Sequence, residues 1–124
     1  MKTGVRHRYT KDPVGAHYGL RDWLLQRVTA VVIAGYTLFV LGCFLAGRPE
    51  SYQDLRNIFA DGFIGIFTML FLAALLYHAW VGMRDILMDY VKPAGIRLVL
   101  QTGVALLLIV YLIWSAAILM GARA

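Results

Sequence analysis

The sequence predicts an all-α membrane protein with three transmembrane helices. Of its 124 residues, 60% are hydrophobic, and the mean hydropathy is +0.69. Three stretches without a charged residue, 28–47, 63–83 and 98–122, each match the roughly 20 apolar residues that a helix needs to cross the hydrocarbon core of a bilayer. A soluble domain of this length would need more polar surface around its core.

The first transmembrane helix is predicted over about residues 23–47, after a polar N-terminal arm of residues 1–20. Its apolar run follows a long polar segment and is too long for the core of a signal peptide, so the helix is expected to remain as a membrane anchor. The only cysteine, Cys43, lies in this run, which excludes a disulfide within the chain. The three-helix domain is predicted to cover residues 21–124.

The second and third helices are predicted over about residues 62–90 and 96–121. Pro93 disfavours helical backbone in the residue before it, so the second helix is expected to end near Val91. The loop 48–61 has the apolar spacing of a short amphipathic helix on the outer surface. Its apolar side would carry Tyr52, Leu55, Ile58 and Phe59. The short segments outside the helices leave no room for a catalytic domain, and no catalytic residue is predicted.

Basic residues are concentrated in the N-terminal arm and in the loop between the second and third helices. Because cytoplasmic loops are enriched in Lys and Arg, the N-terminus is predicted to be cytoplasmic and the C-terminus periplasmic. The net charge of +5 is explained by this bias and by contact with anionic lipid head groups. Membrane lipids are therefore predicted partners, and nucleic acid is not.

His78 is the residue of the second helix whose position is hardest to account for by packing alone. An ionisable side chain inside a span is costly unless it faces the bundle interior and has a partner. The first charge beyond it is Arg84, which places His78 about 9 Å inside the end of the span. Ala74 and Gly82 lie one turn away on the same face, where small side chains allow a flat macrocycle or another helix to approach closely. Three roles are open to the imidazole: axial ligand of a haem iron, proton relay, or hydrogen-bond partner of another helix.

A carboxylate and a phenol, Asp89 and Tyr90, end the second helix. Tyr90 can donate a hydrogen bond to a carbonyl oxygen, and Asp89 can take up or pass on a proton, which suits an amphipathic ligand such as a quinone. Both residue types are also common at helix ends. Arg27 and Arg21 near the first helix have two open roles, pairing with an anion such as a haem propionate or anchoring the helix at the head groups. The predicted topology brings these residues to the same half of the membrane as His78.

Three segments resemble a known family. Residues 78–93, His-Ala-Trp-Val-Gly-Met-Arg-Asp-Ile-Leu-Met-Asp-Tyr-Val-Lys-Pro, resemble the second-helix signature of one membrane subunit of bacterial succinate dehydrogenase (succinate:quinone oxidoreductase, complex II). That subunit is the small hydrophobic anchor, the D-type cytochrome b subunit. Residues 27–30, Arg-Val-Thr-Ala, and residues 97–101 are similar to the starts of the family's first and third helices. The resemblance extends from Leu20 to the C-terminus in the same order and spacing.

The resemblance implies a role for each candidate residue. His78 would be an axial ligand of haem b, with the second ligand supplied by the companion C-type anchor subunit. Tyr90 corresponds to the family's quinone-contacting tyrosine, and Asp89 to its acidic neighbour. Arg27 corresponds to an arginine near the haem propionates, and Arg21 is a further candidate for that role. The electron acceptor would be ubiquinone or another quinone.

The resemblance also implies a membrane-anchor subunit that passes electrons from succinate to the quinone pool in the bacterial inner membrane. Its expected partners are the companion C-type subunit, an iron–sulfur subunit and a flavoprotein subunit. Two alternatives stay open: a purely structural anchor without haem, in which His78 is a packing residue, and the anchor of a fumarate reductase. A small multidrug-type transporter is disfavoured, because none of the three spans contains a central carboxylate.

Overall fold

Four α-helices make up the described chain. The computed structural model describes residues 16–123, and side chains over 19–122. The helices are α1 (Ala16–Gly47), α2 (Tyr52–Ala60), α3 (Gly62–Tyr90) and α4 (Ala94–Arg123). No strand occurs within residues 16–123. The predicted all-α class is therefore confirmed.

Three of these helices are long and apolar enough to cross a membrane. The candidate spans are Gly19–Gly47, Gly62–Tyr90 and Ala94–Ala122, which confirms the prediction of three transmembrane helices. α1 extends to Ala16 at its N-terminal end, beyond the apolar run that starts at residue 28. Residues 1–15 of the predicted arm lie outside the described residues, and residues 16–20 belong to α1.

Short-range hydrogen bonds set the boundaries of the helices between α1 and α3. Arg48 ends α1 in the left-handed region, with φ of 37°, and its N–H donates to the Phe44 carbonyl at 3.0 Å. Ser51 and Asp54 form a reciprocal capping box at the start of α2. Hydrogen bonds from the side chain and then the backbone of Ser51 lower the pKa of the Asp54 carboxyl. Asp61 caps α3, because its Oδ1 accepts hydrogen bonds from the backbone N–H groups of Phe63 and Ile64.

The second span ends where proline chemistry predicts. α3 stops at Tyr90, and the N–H of Val91 still donates to the Leu87 carbonyl at 3.1 Å. Val91 itself is extended, with φ of −97° and ψ of 99°, and α4 begins directly after Pro93. We call this end of the bundle, where α1 begins, α3 ends and α4 begins, the Pro93 end. The opposite end, which carries α2, is the α2 end.

Helix α3 is the centre of the bundle. It packs against α1 on one side and α4 on the other, whereas α1 and α4 make no contact with each other within the described residues. Helix α2 packs across α3 and α4 at the α2 end. This arrangement places every contact between membrane-spanning helices on α3.

The described bundle buries few side chains. Of its hydrophobic residues only Val81 and Leu87 are buried, and Thr29 and Thr68 are the buried polar ones. In the most apolar windows of α1, α3 and α4, 6%, 17% and 0% of the residues are buried. Such apolar faces are stable only against lipid or other membrane helices, as expected of a multi-pass membrane protein.

Candidate functional site

His78 faces α1, and a hydroxyl on that helix is its hydrogen-bond partner. The Nδ1 atom of the half-buried imidazole lies 3.0 Å from Oγ1 of Thr29. The same hydroxyl donates to the Leu25 carbonyl at 2.8 Å, one turn earlier on α1. The imidazole therefore points into the bundle, which is the placement that an ionisable residue inside a span requires.

A groove of about 510 Å³ lies between α1 and α3 beside His78. We call it the α1–α3 groove and define it by six of its polar or charged lining residues. These are Asp22, Gln26, Arg27, His78, Arg84 and Asp85. Its volume falls in the range of small-molecule and cofactor sites, about 300–1,000 Å³.

Small residues open the groove near the imidazole. Ala30 of α1 lines it, and Gly82 lies one turn beyond His78 on α3. A Cβ added at Gly82 would lie 3.7 Å from Nε2 of Gln26, an ordinary contact distance. The predicted face of His78, Gly82 and Asp85 is therefore turned towards α1.

An ion pair crosses the groove nearer the Pro93 end. Nη2 of Arg84 donates to Oδ2 of Asp22 at 2.6 Å and to Oδ1 of its neighbour Asp85 at 3.2 Å. The side chains of Arg84 and Asp22 are each 30% exposed, and that of Asp85 is 58% exposed. The cross-helix pair is thus the better shielded of the two.

Two buried polar atoms in the groove have no hydrogen-bond partner within the described side chains. They are Oε1 of Gln26 and Nε of Arg84. Buried polar atoms in folded proteins are almost always hydrogen-bonded, so both atoms are suited to bind a ligand or a water molecule in the groove. The groove thus offers an acceptor at Gln26 and a donor at Arg84.

Only one of the two predicted arginines lines the groove. The guanidinium carbon of Arg27 lies 4.3 Å from the ring centroid of Trp23, which holds the charge over an aromatic face. Arg21 is exposed and does not line the groove.

Asp89 and Tyr90 lie apart from this groove, at the last residues of α3. Both are exposed, and the Tyr90 side chain is 81% exposed. The structure thus brings Arg27 and His78 together and leaves the carboxylate–phenol pair at the Pro93 end of the bundle. A second groove, of about 600 Å³ at the α2 end, contains none of the candidate site residues; it is lined in part by Tyr52, Leu55 and Phe59, from the predicted apolar side of α2.

The comparisons with known proteins identify the family. The profile described as "Succinate dehydrogenase/Fumarate reductase transmembrane subunit" matches residues 6–117, most of the chain. The chain belongs to this family. The prediction drawn from the helix motifs is confirmed.

Curated relatives support this family assignment. One is the succinate dehydrogenase hydrophobic membrane anchor subunit of Coxiella burnetii, 42% identical over 85% of this chain and 91% of its own length. The subunit of the same name from Rickettsia felis is 30% identical over 74% of this chain and 77% of its own length. The mitochondrial succinate dehydrogenase cytochrome b560 subunit of Sus scrofa is 31% identical over 81% of this chain and 66% of its own length.

Two features of this transmembrane subunit were not predicted from its sequence. Thr29 lies in the first-helix motif 27–30, but nothing in the motif assigns its hydroxyl to His78. The pairing of Asp22 with Arg84 does not follow from the distribution of charge along the chain, because that distribution does not show which charged residues face each other. The available signal was their placement: both lie at the Pro93 end of helices that pack side by side, where opposite charges can meet.

His78 is a candidate single ligand for a metal ion within the described part of the chain. Among the described side chains, no group of three or more His, Cys, Asp or Glu residues is placed to hold a metal ion. A haem shared between two subunits would take one protein ligand from each, and His78 could supply one of them.

Proposed function

We propose that this chain is the D-type membrane anchor of a succinate:quinone oxidoreductase. His78 holds haem b together with a ligand from a companion C-type anchor subunit, and Tyr90 with Asp89 forms part of the quinone-reduction site. The observation that carries the proposal is a lone imidazole inside a membrane span, facing a cofactor-sized groove that also holds an arginine and two unpaired polar atoms.

The residues around the α1–α3 groove fit a haem. An imidazole with one ring nitrogen hydrogen-bonded and the other available is the usual form of a metal-binding histidine. Arg27 supplies a cation for a propionate, and the Nε–H of Arg84 lacks an acceptor that a carboxylate would provide. The cytochrome b560 name of the pig relative further supports a haem. When bound, haem b would supply one-electron redox capacity.

The quinone half of the proposal rests on the end of α3. The Tyr90 phenol is exposed at the edge of a span, where its O–H can donate a hydrogen bond to a quinone carbonyl oxygen. The Asp89 carboxylate next to it can accept a proton and pass it on as quinone is reduced to quinol. This chemistry requires neither Arg21 nor a direct contact between the quinone and the α1–α3 groove.

The partner subunits are inferred from the exposed surface and from the relatives. Apolar side chains cover α1, α3 and α4 on faces that this chain does not bury, which suits packing against a companion anchor subunit as well as lipid. The Coxiella and Rickettsia relatives are named as succinate dehydrogenase subunits, which favours succinate oxidation over fumarate reduction. An iron–sulfur subunit and a flavoprotein subunit would then deliver the electrons.

The proposed location is the bacterial inner membrane, with the N-terminus in the cytoplasm and the C-terminus in the periplasm. The basic residues around the start of α1 and the α3–α4 turn support this orientation. It places the Pro93 end, with Asp89 and Tyr90, against the cytoplasmic subunits.

The haem assignment is tested by the reduced-minus-oxidised visible spectrum of the purified complex. We expect a b-type haem in the wild type and its loss or alteration in His78→Ala. His78→Met is the matched variant, because a thioether can replace the imidazole and should retain haem at a higher potential. A His78→Ala complex with an unchanged spectrum would assign the haem to other ligands and leave His78 as a packing residue.

The quinone assignment is tested by Tyr90→Phe. Loss of one hydrogen bond, about 1 kcal/mol, should slow quinone reduction roughly fivefold, while succinate oxidation by a dye that accepts electrons upstream is unchanged. Tyr52→Phe is the control, since Tyr52 is 80% exposed at the opposite end of the bundle. A Tyr90→Phe complex that reduces quinone at the rate of the Tyr52→Phe complex would contradict the assignment.

A further inference from the structure

The contacts of the Thr29 hydroxyl indicate which neighbouring atom accepts its proton. Its Oγ1 lies 2.8 Å from the Leu25 carbonyl oxygen and 3.0 Å from His78 Nδ1. A carbonyl oxygen carries no proton, so the hydroxyl proton must lie on the Leu25 side of Oγ1. The contact with His78 then needs a proton from the imidazole. This arrangement requires the Nδ1–H tautomer of His78, in which Nε2 carries the free lone pair.

We infer that Thr29 is a positioning residue for His78, fixing Nε2 as the iron-binding atom and increasing the donor strength of the imidazole. The inference rests on the proposed haem-binding function of His78. A metal-bound histidine whose second nitrogen donates to an acceptor is held in one orientation and becomes a more basic ligand. Thr29 supplies that acceptor from α1, whereas His78 lies on α3, so the contact also sets the imidazole relative to the facing helix.

The surroundings make this hydrogen bond effective. Thr29 is only 9% exposed, which shields the contact from competing donors and acceptors. Its Oγ1 is also 3.1 Å from the Gln26 carbonyl, so backbone acceptors on the same helix hold the hydroxyl in place. A β-branched side chain in a helix has few rotamers, which further limits the position of Oγ1.

The decisive variant is Thr29→Val, which keeps the branched shape and removes the acceptor. Without the hydroxyl acceptor, the imidazole is a weaker electron-pair donor to the iron. Weaker electron-pair donation lowers the stability of oxidised haem more than that of reduced haem. We expect the ratio of the two affinities to change about tenfold, which raises the midpoint potential of the haem by about 59 mV for one electron. Thr29→Ser retains a hydroxyl and should restore most of the wild-type potential.

Thr68→Val is the matched control. Thr68 is 8% exposed, donates to the Ile64 carbonyl at 2.7 Å, and contacts Tyr36 of α1 through the same kind of cross-helix hydroxyl bond. It lies on α3 ten residues from His78 and makes no contact with it. A general loss of packing would therefore affect this variant as much as Thr29→Val.

The test is a potentiometric titration of the haem in the purified complex, together with the electron paramagnetic resonance spectrum of the oxidised form. A raised potential in Thr29→Val, near-wild-type values in Thr29→Ser and Thr68→Val, and an altered ferric spectrum only in Thr29→Val support the inference. Loss of haem in Thr29→Val alone supports it as well. Loss of haem in Thr29→Ser too, or a Thr29→Val haem with wild-type potential and spectrum, overturns it. Retention of an unchanged haem by His78→Ala would instead overturn the proposed function.

Discussion

The ion pair between Asp22 and Arg84 should make a measurable contribution to the stability of the α1–α3 packing. With 2.6 Å between Nη2 and Oδ2, the attraction is about 6 kcal/mol at an effective dielectric constant of about 20. Desolvation of two charges that are each 30% exposed opposes most of it. The net value should lie between the ~0.2–1 kcal/mol of exposed pairs and the ~3–5 kcal/mol lost on breaking a buried one, at about 2 kcal/mol.

The assay is a double-mutant cycle on the complex in lipid nanodiscs. The variants are Asp22→Asn, Arg84→Gln and the combination of the two. Unfolding in increasing denaturing detergent is followed by maleimide labelling of Cys43, the single cysteine of this chain, which lies within the first span and whose labelling is measured by mass spectrometry of this chain. We expect a coupling free energy of about 2 kcal/mol between positions 22 and 84.

Asp85→Asn is the control for this cycle. Asp85 contacts the same guanidinium at 3.2 Å, but its side chain is 58% exposed, so its loss should cost less than about 0.5 kcal/mol. Equal costs for Asp22→Asn and Asp85→Asn, or a coupling free energy indistinguishable from zero, would refute the reasoning that burial between α1 and α3 gives the Asp22–Arg84 pair its strength.

Three further predictions concern the helix boundaries and the groove. Gly82→Ala should leave assembly of the complex unchanged in size-exclusion chromatography, since its Cβ would meet Gln26 Nε2 at 3.7 Å, whereas Gly82→Leu should abolish haem incorporation. Arg48→Gly should raise the unfolding free energy by about 1 kcal/mol in the same labelling assay, because glycine adopts the φ of 37° without steric cost. The pKa of Asp54 is lower in the folded chain, so its stabilising effect on α2 is present above the unfolded value of 3.8 and is lost as pH falls through the folded value. The protection factors of the amides in the first turn of α2, which correct exchange for its intrinsic pH dependence, should fall in that acid range, and Ser51→Ala should remove much of this fall.

The fold could be predicted because hydropathy and proline chemistry act locally. Three uncharged runs fixed the number of spans, and Pro93 fixed the end of α3 to within one residue. The extension of α1 to Ala16 does not show in the hydropathy profile, since hydropathy detects the apolar part of a helix and not the polar turns that extend it. The lack of contact between α1 and α4 within residues 16–123 could not be predicted either, because three antiparallel apolar helices can form a row or a triangle with the same hydropathy profile.

The site could be predicted only in part. A sequence shows which residues are energetically costly to place inside a membrane span, but it does not show which side chains they contact. His78 was found because an imidazole inside a span needs a reason to be there. Its partner Thr29 was not found, since a threonine in a helix satisfies its hydroxyl on its own backbone and carries no such cost. Which side of the imidazole meets that hydroxyl depends on the relative rotation of α1 and α3.

Among the described side chains, three polar contacts across the α1–α3 interface explain how that rotation is held. On α1 they involve Asp22, Thr29 and Tyr36, which are spaced seven residues apart and therefore form one stripe along the helix. At 1.5 Å per residue they lie about 10.5 Å apart, so the stripe spans much of the membrane. Hydrophobic association is weak between helices in lipid, and polar contacts of this kind fix register and rotation instead. Removing the middle contact leaves one contact on each side, which is why Thr29→Val should change the electronic properties of His78 without moving the helices.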